Sequence, residues 1–177
     1  KWFFWLFGIA VIYGAVNAVN FTDGVDGLCA SVTSTAAIAF CIAALMTKFF
    51  GISILAAGLT GGCLGYLIWN YYPSKVMMGD TGSMFLGGMV VALAYAIDCP
   101  IILVFFGIIY VIEALSDVIQ IGYFKITHGK RIFKMAPIHH HFEMCGWKER
   151  KIVTIFSLVN MVGCAVGLAI YYFGIAK

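Results

Sequence analysis

The sequence predicts an all-α, polytopic integral membrane protein with about six transmembrane helices and a polar cleft facing the cytoplasm. Three observations carry this expectation. Hydrophobic residues make up 63% of the 177 and charged residues only 11%, whereas a soluble domain carries about 25% charged residues. The mean hydropathy is +0.99, and the apolar residues fall into runs near the ~20 residues a helix needs to cross hydrocarbon. The Lys and Arg residues gather in one long connection, which fixes an orientation.

The first span is read over 2–19, where "WFFWLF" opens a nearly continuous apolar run. The second covers 28–47 and the third 52–72. A fourth, over 83–98, is short, and its Gly87 and Gly88 suit close helix packing. Pro100 marks a tight corner before the fifth, 101–123, and the sixth runs over 152–174. No repeat or low-complexity segment interrupts them. The chain opens on Lys1 without an initiator Met and reads as the interior of a longer protein. Residues 1–177 are therefore expected to form a single transmembrane domain, the C-terminal part of something larger.

Between Lys125 and Lys151 lie seven basic residues: Lys125, Lys130, Arg131, Lys134, Lys148, Arg150 and Lys151. Lys75 falls on the same side, and only Lys1, Lys48 and Lys177 fall opposite. The positive-inside rule makes the basic side cytoplasmic, with aromatic belts ("KWFFW" and "YYF") at the outer ends. The acids sort the same way: Asp23, Asp26, Asp80, Glu113, Asp117, Glu143 and Glu149 fall on the inner side, and only Asp98 on the outer. Membrane topology does not require that bias. Chemistry confined to one face would.

Composition also excludes some classes. The net charge of +3 forms no basic stripe on a soluble surface, so nucleic acid is not an expected partner. The six Cys contain no C-x-x-C pair, which argues against a disulfide framework or a Cys-based zinc site.

Four stretches carry candidate chemistry. "NAVNFTDGVDG" places Asn17, Asn20, Asp23 and Asp26 at steps of three, and Gly24 and Gly27 permit a break that turns the carboxylates toward one point. Asp26 on its own is equally a helix cap for the second span. "WNYYPSKVMMGDTGS" contributes Asn70 and Asp80. Its "GDTGS" offers helix N-terminal N–H groups that suit a phosphate, and its carboxylate suits Mg²⁺, although the P-loop spacing is absent. "EALSDVIQ" puts Glu113, Ser116 or Asp117, and Gln120 on one face of the fifth span, as a functional site or an internal brace. "APIHHHFEMCGWKER" carries His139, His140, His141 and Glu143. Consecutive His diverge on a helix, so phosphate contact or proton transfer suits them better than zinc. Asn160, alone in the sixth span, reads as a packing feature.

Taken in order, "NAVNFTDGVDGL", "MGDTGS" and "PIHHHFE…GW" resemble the phospho-N-acetylmuramoyl-pentapeptide-transferase family, a branch of the polyprenyl-phosphate N-acetylhexosamine-1-phosphate transferases. The resemblance runs over essentially the whole chain and matches the C-terminal half of that family. It implies Mg²⁺-dependent transfer of a phospho-sugar-pentapeptide from UDP to undecaprenyl phosphate in the bacterial inner membrane, giving lipid I and UMP. By motif position, Asp80 resembles the magnesium ligand, and Asp23 an acid acting as nucleophile or metal-site neighbour. Gly24, Val25 and Asp26 match the uridine-pocket stretch. Asn20, Asn70 and Gln120 match polar positions of the nucleoside and metal cleft. His139, His140 and His141 match a triple His that substrates approach, with His140 taken beside Asp23 and Asp80 as a candidate for the chemistry. Met77 stands where the family usually has a Phe that stacks on uracil. The family's paired adjacent Asp, a candidate base, has no counterpart in these residues, so the missing half would supply it together with a nucleotide-binding Lys.

Three alternatives stay open: a sibling that transfers N-acetylglucosamine-1-phosphate, a membrane transporter, and a non-catalytic scaffold. A transporter would set its charges near mid-bilayer, whereas these acids cluster toward one surface. The apolar surface is compatible with a homodimer.

Overall fold

The computed structural model describes residues 2–174, and every regular element among them is helical. Lys1 and Lys177 lie outside the described residues, as do the side chains of Phe3 and Phe4 in the first aromatic cluster. The order is α1 (Trp2–Phe21), α2 (Leu28–Met46), α3 (Phe50–Asn70), α4 (Gly79–Ala96), a 3₁₀ turn (Pro100–Ile102), α5 (Leu103–Phe106), α6 (Ile108–Ile126), α7 (Ile138–Met144) and α8 (Glu149–Gly174). Three helices, α2, α3 and α8, are long and apolar enough to cross a membrane, or four spans if the bent α5–α6 pair is counted as one. The all-helical membrane architecture expected from composition is thus present.

The centre of the bundle is α2, which packs mainly against α3 and α8, while α1 packs against α4. Twelve of its nineteen residues are buried, half of them Ala. Small side chains let neighbouring helix backbones approach closely where there is no water to drive them together. Gly87 of α4 serves the same end, since a Cβ there would collide with the backbone of Val16 in α1.

The fifth span departs from expectation. Rather than one helix over 101–123, the chain turns through 85° at Gly107, between α5 and α6. A break inside an apolar bundle orphans backbone groups that lipid cannot satisfy. Asn160, fully buried on α8, takes them up. Its amide nitrogen donates to the Phe106 carbonyl at 3.0 Å, and its oxygen accepts from the Ile109 N–H at 3.4 Å. The same nitrogen also reaches Thr35 Oγ1 on α2 at 2.8 Å. Gly163 and Gly167 let α8 close on the break, because a Cβ at either position would strike Phe105 and, beside it, Ile108 or Phe106. Phe106 completes the wedge, edge-on to Phe40 of α2 at 4.8 Å. Asn160 is therefore the packing feature the sequence suggested, with a specific task.

Replacing Asn160 with Leu keeps the branched shape in a larger side chain and strips those bonds, leaving buried backbone groups unpaired. The expected loss is about 2 kcal/mol or more of stability. Thermal unfolding of the protein in lipid nanodiscs, compared with the unaltered protein, measures it.

Candidate functional site

The C-terminus of α1, the N-termini of α2, α4 and α8, and the C-terminus of α3 meet at one end of the bundle. Two loops, 22–27 and 71–78, join these ends and are stitched to each other. Asn70 Oδ1 accepts the Gly27 N–H at 3.0 Å, and its amide donates to the Val76 carbonyl at 2.9 Å. Asp26 Oδ2 accepts the Ser74 N–H at 2.9 Å. The helix-cap alternative for Asp26 does not hold, since Gly27, at φ 79, is the N-cap of α2 and no side chain caps it.

A cavity of about 230 Å³ opens between these loops, lined by Asn20, Asp23, Gly24, Val25, Asp26, Asn70, Met77, Met78, Gly79 and Asp80. The structure thus brings together candidates from the first two polar stretches, 17–27 and 70–83. Asn20 ties them, donating to Asp80 Oδ1 at 3.1 Å and to Ser83 Oγ at 2.8 Å. Ser83, fully buried on α4, is a contributor the sequence reading missed. Its only signal was its place in the first turn after Asp80. Met77 sits exposed at the lip of the cavity. With Met78 it also borders an apolar groove of about 500 Å³ between α3 and α4.

Asp23 is half-buried, and among the described residues no side chain or backbone group donates to it. Burial first, and then the charge of Asp80, push its carboxyl up to about 6. A carboxyl raised in this way binds its proton more readily in the folded chain than in the unfolded one. Its contribution to stability is therefore present at low pH and is lost as pH rises through about 6. Asp23, Asp26 and Asp80 put three carboxylates on one small cavity that no Lys, Arg or His among the described residues lines, and Asp26 has one oxygen engaged by the Ser74 N–H. Among the described residues no group of three or more His, Cys, Asp or Glu is assembled for a metal. A pair of carboxylates is nevertheless the donor set that suits Mg²⁺, which keeps several waters and takes its other ligands from substrate phosphates.

The His triplet divides into three environments. His139 is fully buried, with Nδ1 3.0 Å from Glu113 Oε2 of α6. Its ring lies over Gly24, where any Cβ would run into Nε2. His140 Nδ1 pairs with Glu143 Oε2 at 2.5 Å within α7. His141 Nδ1 accepts the Lys134 N–H at 3.1 Å. None of the three lines the acid cavity. Gln120 is also elsewhere. Its oxygen accepts the N–H groups of Ile132 and Phe133, its nitrogen donates to the Phe133 carbonyl, and it borders a separate cavity with Asp117, Lys125 and Arg131. Glu113 stood out in the sequence as an intramembrane acid but was not assigned to the site. Only the fold connects it to Gly24.

The model of the glycosyl transferase family 4 matches residues 1–98. The phospho-N-acetylmuramoyl-pentapeptide-transferase of Acetivibrio thermocellus is 49% identical over 167 residues, 94% of this chain and 50% of that protein. Proteins of the same name from Clostridium botulinum and Carboxydothermus hydrogenoformans are 47% and 48% identical over 160 residues, 90% of this chain and 49% of each. The chain spans about half the length of these relatives.

Two outcomes test the site as described. In Asp80→Asn, the Asp23 carboxyl should titrate below its value of about 6, because one of the two causes of its elevation is gone. Carboxyl ¹³C NMR follows it. Gly24→Ala should destabilise the protein by about 1–3 kcal/mol, as overpacking does, since the buried His139 ring is pinned by Glu113. Unfolding in nanodiscs reads this, and an unchanged midpoint would mean the ring is free to move.

Proposed function

The chain belongs to glycosyl transferase family 4, and from that membership we propose that it is the C-terminal part of a membrane transferase. That enzyme would move phospho-N-acetylmuramoyl-pentapeptide from its UDP carrier to undecaprenyl phosphate. In the net exchange, the sugar-bearing phosphorus gains a P–O bond to the lipid phosphate and loses its P–O bond to UMP, which leaves. The observation that carries the reading is the gathering of Asp23, Asp26, Asp80, Asn20 and Asn70 around one cavity at one end of an apolar bundle. A substrate that is part lipid and part nucleotide needs its phosphates handled at such an end. The identity of close to half the residues with relatives that bear the transferase's name supports the choice of substrates.

Asp80 and Asp23 would hold Mg²⁺, Asp80 with its orientation set by Asn20. When bound, the ion supplies counter-charge to the diphosphate and to the departing UMP. Gly24, Val25 and Asp26 form the wall against which the nucleoside would lie, with Asp26 held by Ser74. Met77, at the lip, would offer the uracil a sulfur contact in place of an aromatic stack. His140 and His141 would meet the phosphates or move a proton near them. The basic connection around Lys125 and Lys151 would face the cytoplasm, where the nucleotide substrate is found. The paired Asp that the family resemblance offers as a base for the lipid phosphate would come from the other half of the protein.

The full-length protein in lipid with Mg²⁺ and undecaprenyl phosphate should release UMP from the muramoyl-pentapeptide nucleotide and not from UDP-N-acetylglucosamine. Release from the latter alone would assign the chain to the sibling branch, and release from neither would sink the transferase reading. Asp80→Asn should insert and fold yet lose at least about 100-fold in turnover, as expected when several kcal/mol of charge stabilisation are removed.

A further inference from the structure

Glu113 and His139 are both fully buried, joined at 3.0 Å, and neither lines the acid cavity. An ionised Glu113 has no proton to give, so against it the imidazole would donate through Nδ1, leaving Nε2 on the opposite edge. That opposite edge is the one that rests on Gly24. The ring is steadied from other directions as well. Phe142, three residues further along α7, anchors that helix by stacking on Trp147 at 4.5 Å and meeting Phe156 of α8 edge-on. The His140 ring sits beside that of His139, tilted at 54° with centroids 4.1 Å apart. A chain of contacts therefore runs from α6 through Glu113 and His139 to the backbone between Asp23 and Val25.

A pair of this kind is an expensive way to fill space. Burying a carboxylate and an imidazole in an apolar bundle carries a desolvation cost that two apolar side chains of similar volume would avoid. Its outer atoms gain no protein partner either: among the described residues nothing bonds to Glu113 Oε1 or His139 Nε2, both buried. What the pair provides, and apolar packing would not, is a directional hold on the imidazole. A hydrogen bond fixes the rotation of the ring, and the ring fixes Gly24.

We propose that Glu113 is a positioning residue for the phosphoryl transfer inferred above, acting through His139 to hold the Asp23 side of the 22–27 loop against the cavity. The proposal rests on that transferase reading. Asp26 has its own tether in the Ser74 N–H, and Gly27 has Asn70. The Asp23 N–H bonds back to the Asn20 carbonyl at 3.1 Å, but among the described residues nothing holds its carboxylate, and on its other side its place depends on Gly24 and on what Gly24 leans against. Loss of Glu113 loosens Gly24 and with it Asp23, while Asp26 and Gly27 keep their own tethers.

The test uses the full-length protein in lipid. Glu113→Ala should lower kcat by about 10- to 100-fold, the usual cost of removing a partner that orients a functional group. KM for the UDP substrate should change less than kcat, within about threefold, because Asp26 and Asn70 keep their own partners. Glu113→Gln, which keeps an oxygen within reach of Nδ1–H, should recover kcat to within about threefold of the unaltered protein. Solid-state ¹⁵N NMR of histidine, with His139→Asn to assign the signal, should find His139 protonated at Nδ1 and the proton released to Nε2 in Glu113→Ala. Unaltered kcat in Glu113→Ala overturns the proposal, as does a Gln variant no better than Ala. An Nε2–H tautomer in the unaltered protein overturns it without recourse to any variant. Absence of turnover in the unaltered protein would instead sink the transferase reading, and this proposal with it.

Discussion

A helix broken inside an apolar bundle must have its loose backbone groups satisfied by protein, because hydrocarbon offers them nothing. Asn160 meets that demand at the Phe106–Ile109 break, and the position of α6 follows from it. Had the fifth span continued straight through Gly107, Glu113 would point elsewhere and His139 would lose its partner. The 85° turn sets α6 against α1 and α8 and lets α7 dock on it. Thr33 and Tyr110, whose hydroxyls meet at 2.7 Å, hold α6 to the central α2 just beyond the turn. Geometry at the acid end thus depends on a hydrogen-bond arrangement deep in the bundle.

Polar side chains at that end divide by what their atoms are already doing. Asn70 uses both ends of its amide on backbone, Gln120 likewise, and Asp26 spends one oxygen on Ser74. These residues build the cavity more than they offer it chemistry. Asp23 and Asp80 are different. Asp80 accepts one bond from Asn20, Asp23 accepts none among the described residues, and their charges act on each other. Repulsion between them is the cost of keeping oxygens available, and a ligand of opposite sign relieves it.

Much of this was legible in the sequence, and the limits have physical causes. Composition and run length gave the helical membrane class. The two acid stretches stood out because small polar residues beside Gly, at the ends of membrane-grade runs, are hard to explain otherwise, and they do line one cavity. The turn at Gly107 was not legible. Residues 101–112 are apolar on both sides of it, and a lone Gly is tolerated in a helix at a cost near 1 kcal/mol. What breaks the helix is the fit against Gly163 and Gly167, a contact between segments more than fifty residues apart in sequence. The same remoteness hid the Glu113–Gly24 connection and the inward placement of His139. Gln120 stands on the polar face the spacing suggested, yet that face meets the 132–133 backbone and not the acid cavity.

The 22–27 loop shows how a flexible kind of segment becomes a fixed one without using up its functional atoms. Thr22 is buried and bonded back to the Ala18 carbonyl at 2.9 Å, Gly24 is backed by the His139 ring, and Gly27 is held by Asn70. Every restraint falls on backbone or on a residue other than Asp23. A loop held by its neighbours loses most of its conformational freedom during folding, before any ligand arrives, so binding need not bear that entropy. Had Asp23 been fixed by hydrogen bonds to its own carboxylate, the same order would have been bought with the oxygens a cation requires. Leaving the one unanchored acid among anchored neighbours gives a group that is placed and still unspent.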